Sequence, residues 1–320
     1  MASEGAYSIE RVFREVREVL PVPFSVDVVH CPTPYHSRWW LFNGFKSARA
    51  ANADINHVTG DIHYVVLGLP SRSTILTVHD LNHLDDLTGL RKQIYSLLYF
   101  RLPLRRCRAV TVISDATQQR LLQLFPFTAS KTRVIPDCIP AAFVSRPKPF
   151  DEKHPRILQI GTKPNKNLER LGRALRGVPC VLHVIGQLND SQRRLLAELN
   201  IHYENNAALS DSEVVRAYEQ ADIVAYVSLA EGFGMPVLEA QAVGRPLITS
   251  ALSPMKEIAG EYACVIDPYN VAEIRSGILR LIQDPEYRET VIEKGLKNVE
   301  RFSRKAIARQ YAELYEEVLA

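Results

Sequence analysis

Short apolar runs rich in β-branched residues alternate with amphipathic stretches along the whole chain. This alternation predicts parallel β-sheets with helices on both faces. Several runs are continuous in valine and isoleucine, which indicates strands buried on both sides. The predicted strands are residues 24–30, 54–59, 73–80, 109–114, 133–136, 156–161, 180–186, 201–204, 222–228, 246–249 and 263–267. In the first half, helical periodicity appears at residues 8–19, 39–51, 90–106 and 115–124.

The sequence predicts two domains. Its 320 residues exceed one ordinary domain, since domains run to roughly 100–200 residues. A proline-rich, charged stretch without periodicity interrupts the pattern at 145–155. We therefore expect one domain over residues 1–145, a linker over 146–155 and a second domain over 156–300.

Helical signals dominate the end of the chain. No strand is predicted after Asp267, and three helical patterns follow at 270–283, 286–300 and 304–319. A helical tail after a sheet has to bury its apolar face somewhere, so we expect the helix over 301–320 to pack back towards the first domain. Within the second domain, SDSE at 210–213 predicts a capping box that opens a helix.

Composition excludes several classes of protein. The 39 basic and 36 acidic residues leave a net charge of +3, which is too small to favour nucleic acid as the main partner. The five cysteines form no C-x-x-C pair, so we expect neither a disulfide framework nor a cysteine zinc site. No signal-peptide core is visible and no apolar run reaches roughly 18 residues, so we expect a cytoplasmic protein.

The segment EGFGMPVLEAQAVGRPLITS at 231–250 is the most informative local pattern. A strand ends before it, a Gly-Phe-Gly turn follows, and Pro236 and Gly244 mark the two ends of a short helix. Glu231 is then expected at the end of the strand and Glu239 in the first turn of the helix. Open α/β sheets bind ligands at this edge, where a helix N-terminus also offers N–H groups. The alternative is a structural turn with solvated acids.

Glu231 and Glu239 resemble the E-x7-E motif of retaining glycosyltransferases of family 4. The likeness extends to TVHD at 77–80, VISDAT at 112–117, VIPDCIP at 134–140 and ILQIGTKPNKNLERL at 157–171. This resemblance implies the GT-B fold, in which two Rossmann-like domains face a cleft. The family's first strand and Gly-rich loop are missing here, which implies either a shortened N-terminal domain or a trimmed start of the chain.

A second ligand-binding pattern is IGTKPNKN at 160–167. A strand ends at Gly161, two lysines follow, and a helix is expected to start with Asn167 as its N-cap. Two ammonium groups beside a helix N-terminus can hold a diphosphate without metal, although a solvated surface loop is the alternative. By resemblance, Glu231 holds sugar hydroxyls and Glu239 the ribose. The implied donor-binding residues are Gly161, Thr162, Lys163, Lys166, Gly232, Phe233, Gly234, Met235 and Glu239.

His79 and Asp80 end a predicted buried strand. The resemblance implies that His79 lies beside the donor sugar and that Asp80 shapes the pocket, so the catalytic candidates are His79, Asp80 and Glu231. A histidine of the core or surface is the alternative. A second histidine four residues after His79 also gives a zinc-like spacing, but no third ligand is evident. His57 and Asp61 cluster at another strand end and are acceptor candidates.

Residues 90–108 carry six basic side chains and no acid, interleaved with leucine, tyrosine and phenylalanine. A basic amphipathic helix can lie on anionic lipid, which predicts a peripheral membrane contact at the inner membrane surface. A helix that packs on its own sheet with a solvated basic face explains the pattern equally well.

The absence of three motifs argues against three classes of enzyme. The chain has no GxGxxG, no P-loop and no DxD, so a nicotinamide dehydrogenase, a P-loop enzyme and a metal-dependent glycosyltransferase are disfavoured. The resemblance implies a metal-independent enzyme of polysaccharide biosynthesis that needs no cofactor. It would move a sugar, with retention, from a nucleotide diphosphate sugar to a glycan or lipid-linked acceptor by front-face displacement. The alternatives are a non-catalytic nucleotide-sugar-binding subunit and a sugar-nucleotide epimerase.

Overall fold

The computed structural model describes residues 4–30, 44, 53–85 and 87–320. The backbone divides into two units. Unit 1 comprises residues 1–138 and 304–320, and unit 2 comprises residues 139–303. Each unit contains one parallel sheet with helices, so the predicted α/β fold class is confirmed.

The sheet of unit 1 has four parallel strands in the order β1-β2-β3-β4. The strands are β1 (Asn56–Val58), β2 (Thr74–Val78), β3 (Ala109–Val112) and β4 (Thr132–Val134). Successive side chains of a strand point to opposite faces, and Ile75 and Leu76 of β2 accordingly belong to two different hydrophobic clusters. Both side chains are fully buried, so both faces of this sheet are covered.

The sheet of unit 2 has six parallel strands in the order β10-β9-β8-β5-β6-β7. The strands are β5 (Arg156–Ile160), β6 (Val181–Ile185), β7 (Tyr203–Asn206), β8 (Ile223–Tyr226), β9 (Leu247–Ser250) and β10 (Cys264–Ile266). The strand order reverses between β5 and β8, which lie side by side. In an open α/β sheet this reversal opens a crevice at the carboxyl ends of the two strands.

Helices connect nearly all of these strands. In chain order they are α1 (Glu4–Arg17), α2 (Gly89–Tyr95), α3 (Leu102–Arg106), α4 (Asp115–Leu124), α5 (Leu168–Leu175), α6 (Asp190–Glu198), α7 (Asp211–Gln220), α8 (Met235–Val243), α9 (Met255–Ala259), α10 (Val271–Gln283), α11 (Pro285–Asn298) and α12 (Arg304–Leu319). A π-helical stretch, Ser96–Arg101, joins α2 to α3. In the part of the chain that the structure describes, no helix combines the length and apolarity that a membrane crossing requires.

One face of the unit 1 sheet is covered by the first and last of these helices. Phe13 and Val16 of α1 pack with Ile307 and Tyr311 of α12 in the cluster that contains Ile75. Arg304 at the start of α12 donates hydrogen bonds of 3.1 Å to the Oε2 atoms of Glu15 and Glu18 in α1. α12 is therefore an integral part of unit 1.

The opposite face of the unit 1 sheet is covered by the segment from α2 to α4. Phe100, Leu104 and Leu121 are buried against Leu76 and its neighbours. The predicted helix over 90–106 is thus helical throughout, with the π-helical stretch at its centre.

In unit 2 the predicted capping box is confirmed. Ser210 is the N-cap of α7, and the Glu213 carboxylate accepts from the Ser210 backbone N–H at 2.8 Å. These acids hold the start of a helix, as the motif predicts.

Two of the sequence predictions differ from the structure. Residues 24–30 are not a strand, and Val26, Val28 and Val29 are exposed. Among the described residues, the first strand of the unit 1 sheet is β1. Residues 146–155 are not a free linker, because they belong to unit 2. Lys148 pairs there with Asp222, and the Arg288 guanidinium lies 3.8 Å from the centroid of the Phe150 ring. The predicted helix over 39–51 falls almost wholly outside the described residues.

Candidate functional site

The loop after β5 forms one wall of the crevice in unit 2. Gly161 has φ +84°, and a Cβ atom at this position would lie 2.9 Å from Cγ of Lys166. Glycine therefore allows the Lys166 side chain to fold over the end of the strand. A single 3₁₀ turn, Pro164–Lys166, then leads into α5.

Asn167 is the N-cap residue of α5, as predicted, but its side chain does not cap the helix. Its amide donates instead to the carbonyls of Val227 at 3.0 Å and Pro268 at 2.8 Å. The residue has left-handed backbone angles, with φ 59°. Asn167 therefore fixes the loop after β5 to the segments that follow β8 and β10.

Lys166 and Glu231 form the centre of the site. Lys166 Nζ donates to Glu231 Oε1 at 2.6 Å and to the Tyr226 hydroxyl at 3.0 Å, and it lies 4.8 Å from the centroid of the Tyr226 ring. Both charged side chains are largely shielded, with 17% and 13% of their surfaces exposed. Burial raises the pKa of Tyr226 well above its usual range, and the Glu231 carboxylate adds to this rise. The tyrosine therefore remains a neutral hydrogen-bonding group.

Asn165 ties the loop after β5 to the loop after β8. Its carbonyl accepts from the Leu229 N–H at 2.8 Å, and its side-chain amide donates to the Ala230 carbonyl at 2.9 Å and to Glu231 at 3.3 Å. The two loops that carry Lys166 and Glu231 are thus held together by backbone and side-chain bonds. Neither Asn165 nor Tyr226 was singled out from the sequence. Asn165 lies within IGTKPNKN, but its residue type does not predict a bond to the loop after β8, and Tyr226 has the residue type of an ordinary strand position.

The loop after β8 turns into α8 through Gly232, Phe233 and Gly234. Gly234 is the N-cap residue of α8 and has φ +108°. As a glycine, it has no side chain that could cap the helix. Phe233 is buried and packs edge-on against Phe302 at 6.1 Å. Met235, the first residue of α8, is half-buried. The N-terminus of α8 follows directly on the loop after β8. It offers fewer N–H groups than an ordinary helix start, because Pro236 has none and the Val237 N–H donates to the Gly234 carbonyl at 2.9 Å.

Glu239 lies in the second turn of α8, because the helix starts at Met235. The prediction that it lies in the first turn is therefore wrong by one turn. The carboxylate is buried and accepts a hydrogen bond of 2.5 Å from the Tyr218 hydroxyl. Tyr218, on α7, is itself fully buried and packs edge-on against Phe143. No sequence signal marks this tyrosine, because it has the residue type of an ordinary apolar position on an amphipathic helix.

The remaining donor-site candidates lie on the same loop as Lys166. Thr162 donates from its hydroxyl to the Gln187 carbonyl at 2.8 Å, and its own carbonyl accepts from Gln192 at 2.7 Å. Lys163 is exposed. The structure thus brings all of the predicted donor-binding residues to the carboxyl ends of β5 and β8 and to α8.

In unit 1, His79 and Asp80 follow β2 directly. His79 is buried, with Nε2 2.8 Å from the Thr59 carbonyl oxygen. Asp80 accepts from the Asn82 N–H at 2.9 Å, which turns the chain away from the strand. His83 follows on a short 3₁₀ turn and is exposed. Within the described ranges, no group of three or more histidine, cysteine or acidic side chains is arranged to hold a metal ion.

The two acceptor candidates differ sharply. Asp61 is exposed. His57 has Nδ1 2.9 Å from the Tyr315 hydroxyl and Nε2 2.7 Å from the Thr77 hydroxyl, so both ring nitrogens are engaged within unit 1. Burial lowers the pKa of His57 to about 3, with a further contribution from His79. His57 is therefore a neutral bridge between the sheet and α12.

A buried carboxylate adds an unpredicted polar group to unit 1. Asp137 follows β4 and is only 8% exposed. Burial raises its pKa, and the charge of His79 opposes this rise. The motif VIPDCIP at 134–140 contains Asp137, but the sequence did not predict that this carboxylate is buried.

Two protein families match adjacent parts of the chain. Residues 142–298 match the family described as Glycosyl transferases group 1, and residues 6–143 match Glycosyltransferase Family 4. The chain is 29% identical over 168 residues to an MMP alpha-(1->4)-mannosyltransferase of Mycolicibacterium hassiacum, with 46% of this chain and 41% of that protein aligned. It is 36% identical over 93 residues to the O-antigen chain mannosyltransferase B of Escherichia coli, covering 29% of this chain and 24% of that protein. The alignments thus span less than half the length of these curated relatives.

Solved structures share the fold. A sucrose-phosphate synthase from Thermosynechococcus elongatus superposes with a TM-score of 0.71 at 21% identity, covering 92% of this chain and 86% of that one. HepE from Anabaena, solved in complex with UDP and glucose, superposes with a TM-score of 0.73 at 16% identity, covering 87% and 81%. At these identities the likeness establishes the architecture alone.

Proposed function

Because the chain belongs to the group 1 glycosyltransferases, we propose that it transfers a sugar from a nucleotide diphosphate sugar to a glycan or lipid-linked acceptor. The observation that carries this proposal is the Lys166–Glu231 pair at the point where the unit 2 sheet reverses its strand order. A cation for the diphosphate and a carboxylate for the sugar lie there side by side. The UDP complex of HepE and the named mannosyltransferases support the same substrate class.

The ion pair of Lys166 and Glu231 suggests how a donor would bind. Without a donor, the carboxylate neutralises the ammonium group. A diphosphate carries more negative charge than one carboxylate and would compete for the ammonium group. Glu231 Oε1 accepts a hydrogen bond of 2.6 Å from Lys166 Nζ. If the diphosphate took over the ammonium group, this carboxylate oxygen would become available to the sugar hydroxyls. Lys163 and the N-terminus of α8 would complete the diphosphate site.

Glu239 would bind the ribose of the same donor. Its carboxylate lies in the second turn of α8, and one of its oxygens already accepts a hydrogen bond from the Tyr218 hydroxyl. A carboxylate fixed by a neighbour presents its remaining acceptor positions in a set direction. Ribose recognition requires such a fixed acceptor, because two adjacent hydroxyls have to be met at once.

We propose a retaining, front-face displacement in which the diphosphate leaves on the side from which the acceptor attacks. The leaving group gains negative charge as its bond to the sugar breaks. Lys166, Lys163 and the N–H groups of α8 would stabilise that charge, and preorganised groups of this kind are often the largest single contribution to catalysis. We propose that these groups serve in place of a divalent metal ion, since the sequence has no DxD motif.

Unit 1 would bind the acceptor. His79 and Asp80 would help to shape the sugar pocket, and Asp61 is exposed and able to accept from an acceptor hydroxyl. His57 is the weaker acceptor candidate, because it would have to exchange one of the two hydrogen bonds that engage its ring nitrogens. For a lipid-linked acceptor, we propose a peripheral contact with the inner membrane surface through residues 90–108.

A panel of nucleotide sugars, scored first by thermal shift, tests the proposed function. A donor that binds the native state raises its stability by RT ln(1 + [L]/Kd). The donor found in this way is then assayed for release of its nucleotide diphosphate, with and without candidate acceptors. Binding without turnover would favour a non-catalytic binding subunit, and conversion of the sugar without its release would favour an epimerase.

A further inference from the structure

The segment from α2 to α3 has two apolar faces. Its inner face supplies Tyr95, Tyr99, Phe100 and Leu104 to the core of unit 1. Its outer face carries apolar side chains that remain in water, with exposed fractions of 70% for Leu90, 50% for Ile94, 43% for Leu97 and 36% for Leu102. The first three are spaced by four and three residues and so share one side of the helix. Packing on the sheet therefore does not account for the whole apolar content of this segment.

The outer face is also strongly basic. Arg91, Lys92, Arg101, Arg105, Arg106 and Arg108 are all exposed. No acid occurs between residues 90 and 108. Across the described part of the chain, none of these six side chains takes part in an ion pair. The neighbouring Asp85 does not compensate them, because it is paired with Arg120.

A pocket opens beside this face. Its volume is about 510 Å³, and it is lined by Leu67, Ser71, Leu102, Arg105 and Arg106. The Arg106 guanidinium is held in place by donating to the Leu69 carbonyl at 3.0 and 3.3 Å. The Arg105 guanidinium lies 5.1 Å from the centroid of the exposed Phe127 ring. Two positioned guanidinium groups and a hydroxyl form a set of donors that suits a phosphate group.

A single exposed leucine is ordinary in a soluble protein. Here a row of them lies among unpaired cations, next to a pocket that suits a phosphate. An anionic bilayer meets all three features, because its acyl boundary accepts the apolar side chains and its headgroups attract the cations. A neutral apolar partner would leave the cations unused, and a simple phosphate ligand would leave the leucines in water.

We propose that this outer face binds an anionic lipid bilayer, with Leu90, Ile94 and Leu97 at the acyl boundary and a lipid headgroup phosphate in the pocket beside Ser71. This inference rests on the membrane contact included in the proposed function, and it assigns that contact to particular side chains. It does not depend on donor binding in unit 2.

Cosedimentation with vesicles tests the proposal, using phosphatidylcholine mixed with phosphatidylglycerol and, separately, phosphatidylcholine alone. The native chain is expected to bind the mixed vesicles and to be released at high salt, since charges are screened within about 3 Å at 1 M. The triple variant Arg91→Gln, Arg101→Gln, Arg105→Gln should bind on the order of a hundredfold more weakly, as each basic residue near the surface contributes about fivefold. The triple variant Leu90→Gln, Ile94→Gln, Leu97→Gln should also lose binding.

Control variants remove the same number of basic or apolar side chains elsewhere on the surface. Arg194→Gln, Arg216→Gln, Lys294→Gln removes three exposed charges, and Val144→Gln, Tyr269→Gln, Leu319→Gln removes three exposed apolar side chains. Both should bind vesicles as the native chain does. The substitution Ser71→Leu removes the hydroxyl and narrows the pocket, and it should weaken binding to the mixed vesicles by roughly two- to tenfold, the net contribution of one hydrogen bond.

Equal binding to both kinds of vesicle, or native binding by either triple variant of the outer face, would overturn the proposal. If Ser71→Leu alone binds normally, the pocket assignment is wrong. The thermal shift with the nucleotide sugar is measured on every variant and should be unchanged. A chain that binds vesicles in this way but no nucleotide sugar would contradict only the proposed function, so the two failures are distinguishable.

Discussion

Lys166 Nζ and Glu231 Oε1 lie 2.6 Å apart, although 65 residues separate them in the chain. The pair joins the two loops that follow the neighbouring strands β5 and β8. It places the cation proposed for the diphosphate in contact with the carboxylate proposed for the sugar. Substitutions of the two residues should therefore affect different steps of the reaction but should not be independent of each other.

Glu231→Gln is expected to lower kcat by more than it raises KM for the donor. The carboxylate would contact the reacting sugar, where charge develops in the transition state. Loss of one preorganised contact of this kind typically lowers kcat by about 10²–10³. Steady-state kinetics with the donor identified by thermal shift measures both constants. A near-normal kcat would remove Glu231 from the proposed role.

Lys166→Ala is expected to lower kcat and to raise KM, because the ammonium group would bind the diphosphate in the ground state and stabilise it further as it leaves. The combined loss in kcat/KM should correspond to about 2.7–4 kcal/mol. The control is Lys297→Ala, which breaks the ion pair with Glu293 on the exposed surface of the same unit at 2.8 Å. Equal kinetic effects of the two variants would show that Lys166 has no special role.

Tyr218→Phe should raise KM for the donor and leave kcat nearly unchanged. It removes the hydroxyl that donates to Glu239 at 2.5 Å but keeps the buried ring. A hydrogen bond to a charged group is typically worth about 1.5–3 kcal/mol, so the increase in KM should be about tenfold to a hundredfold. Glu239→Gln should have the same type of effect, and the double variant should be little worse than Glu239→Gln alone.

Tyr269→Phe is the matched control for this tyrosine, because its ring is exposed. A rise in KM with the control, or strict additivity of Tyr218→Phe and Glu239→Gln, would contradict the positioning of Glu239 by Tyr218. Unchanged far-ultraviolet circular dichroism would establish that the variants keep their fold.

Excess EDTA should leave the transfer rate unchanged. The proposed diphosphate site uses two lysines and a helix N-terminus, and none of these groups needs a metal ion. Transfer rates are compared before and after chelation, and again after Mg²⁺ or Mn²⁺ is added back. A large loss that either ion restores would show that the phosphate site is wrongly described.

His57 should make the stability of unit 1 depend on pH. Its pKa in the folded state is lowered to about 3, whereas an unfolded histidine has a pKa of ~6.5. Between these values the unfolded chain binds more protons, so the free energy of unfolding falls as the pH is lowered through this window. Urea unfolding of native protein and His57→Gln at several pH values measures the slope.

In His57→Gln that part of the pH dependence should disappear, while His202→Gln, at an exposed position, should keep it. A slope that is the same in all three proteins would mean that His57 is not held neutral in the folded state.

The sequence predicted those features whose signals are local. The parallel α/β architecture followed from the period of the apolar runs, and the loop at Gly161 and the start of α8 followed from glycine, proline and the ends of the strands. Contacts between distant residues could not be predicted in this way. Nothing in the residue types of Tyr218 and Glu239, 21 positions apart, marks them as partners.

The errors have physical causes of the same kind. Residues 24–30 have the composition of a strand, but a strand forms only where a neighbour accepts its backbone hydrogen bonds, and that depends on tertiary structure. Residues 146–155 have the composition of a linker, but Arg288 and Asp222 of unit 2 hold them. His57 has the residue type of a binding group, but two hydroxyls take both of its nitrogens.

The pairing of α1 with α12 has a consequence for synthesis on the ribosome. Unit 2 is in effect inserted into unit 1, because the chain leaves unit 1 at residue 138 and returns to it at residue 304. The face of the unit 1 sheet that contains Ile75 is only partly covered, by α1, until α12 emerges, so the nascent chain exposes apolar surface there throughout the translation of unit 2. Unit 1 contains the residues that are translated first, but its sheet is fully covered only after the last helix has been made.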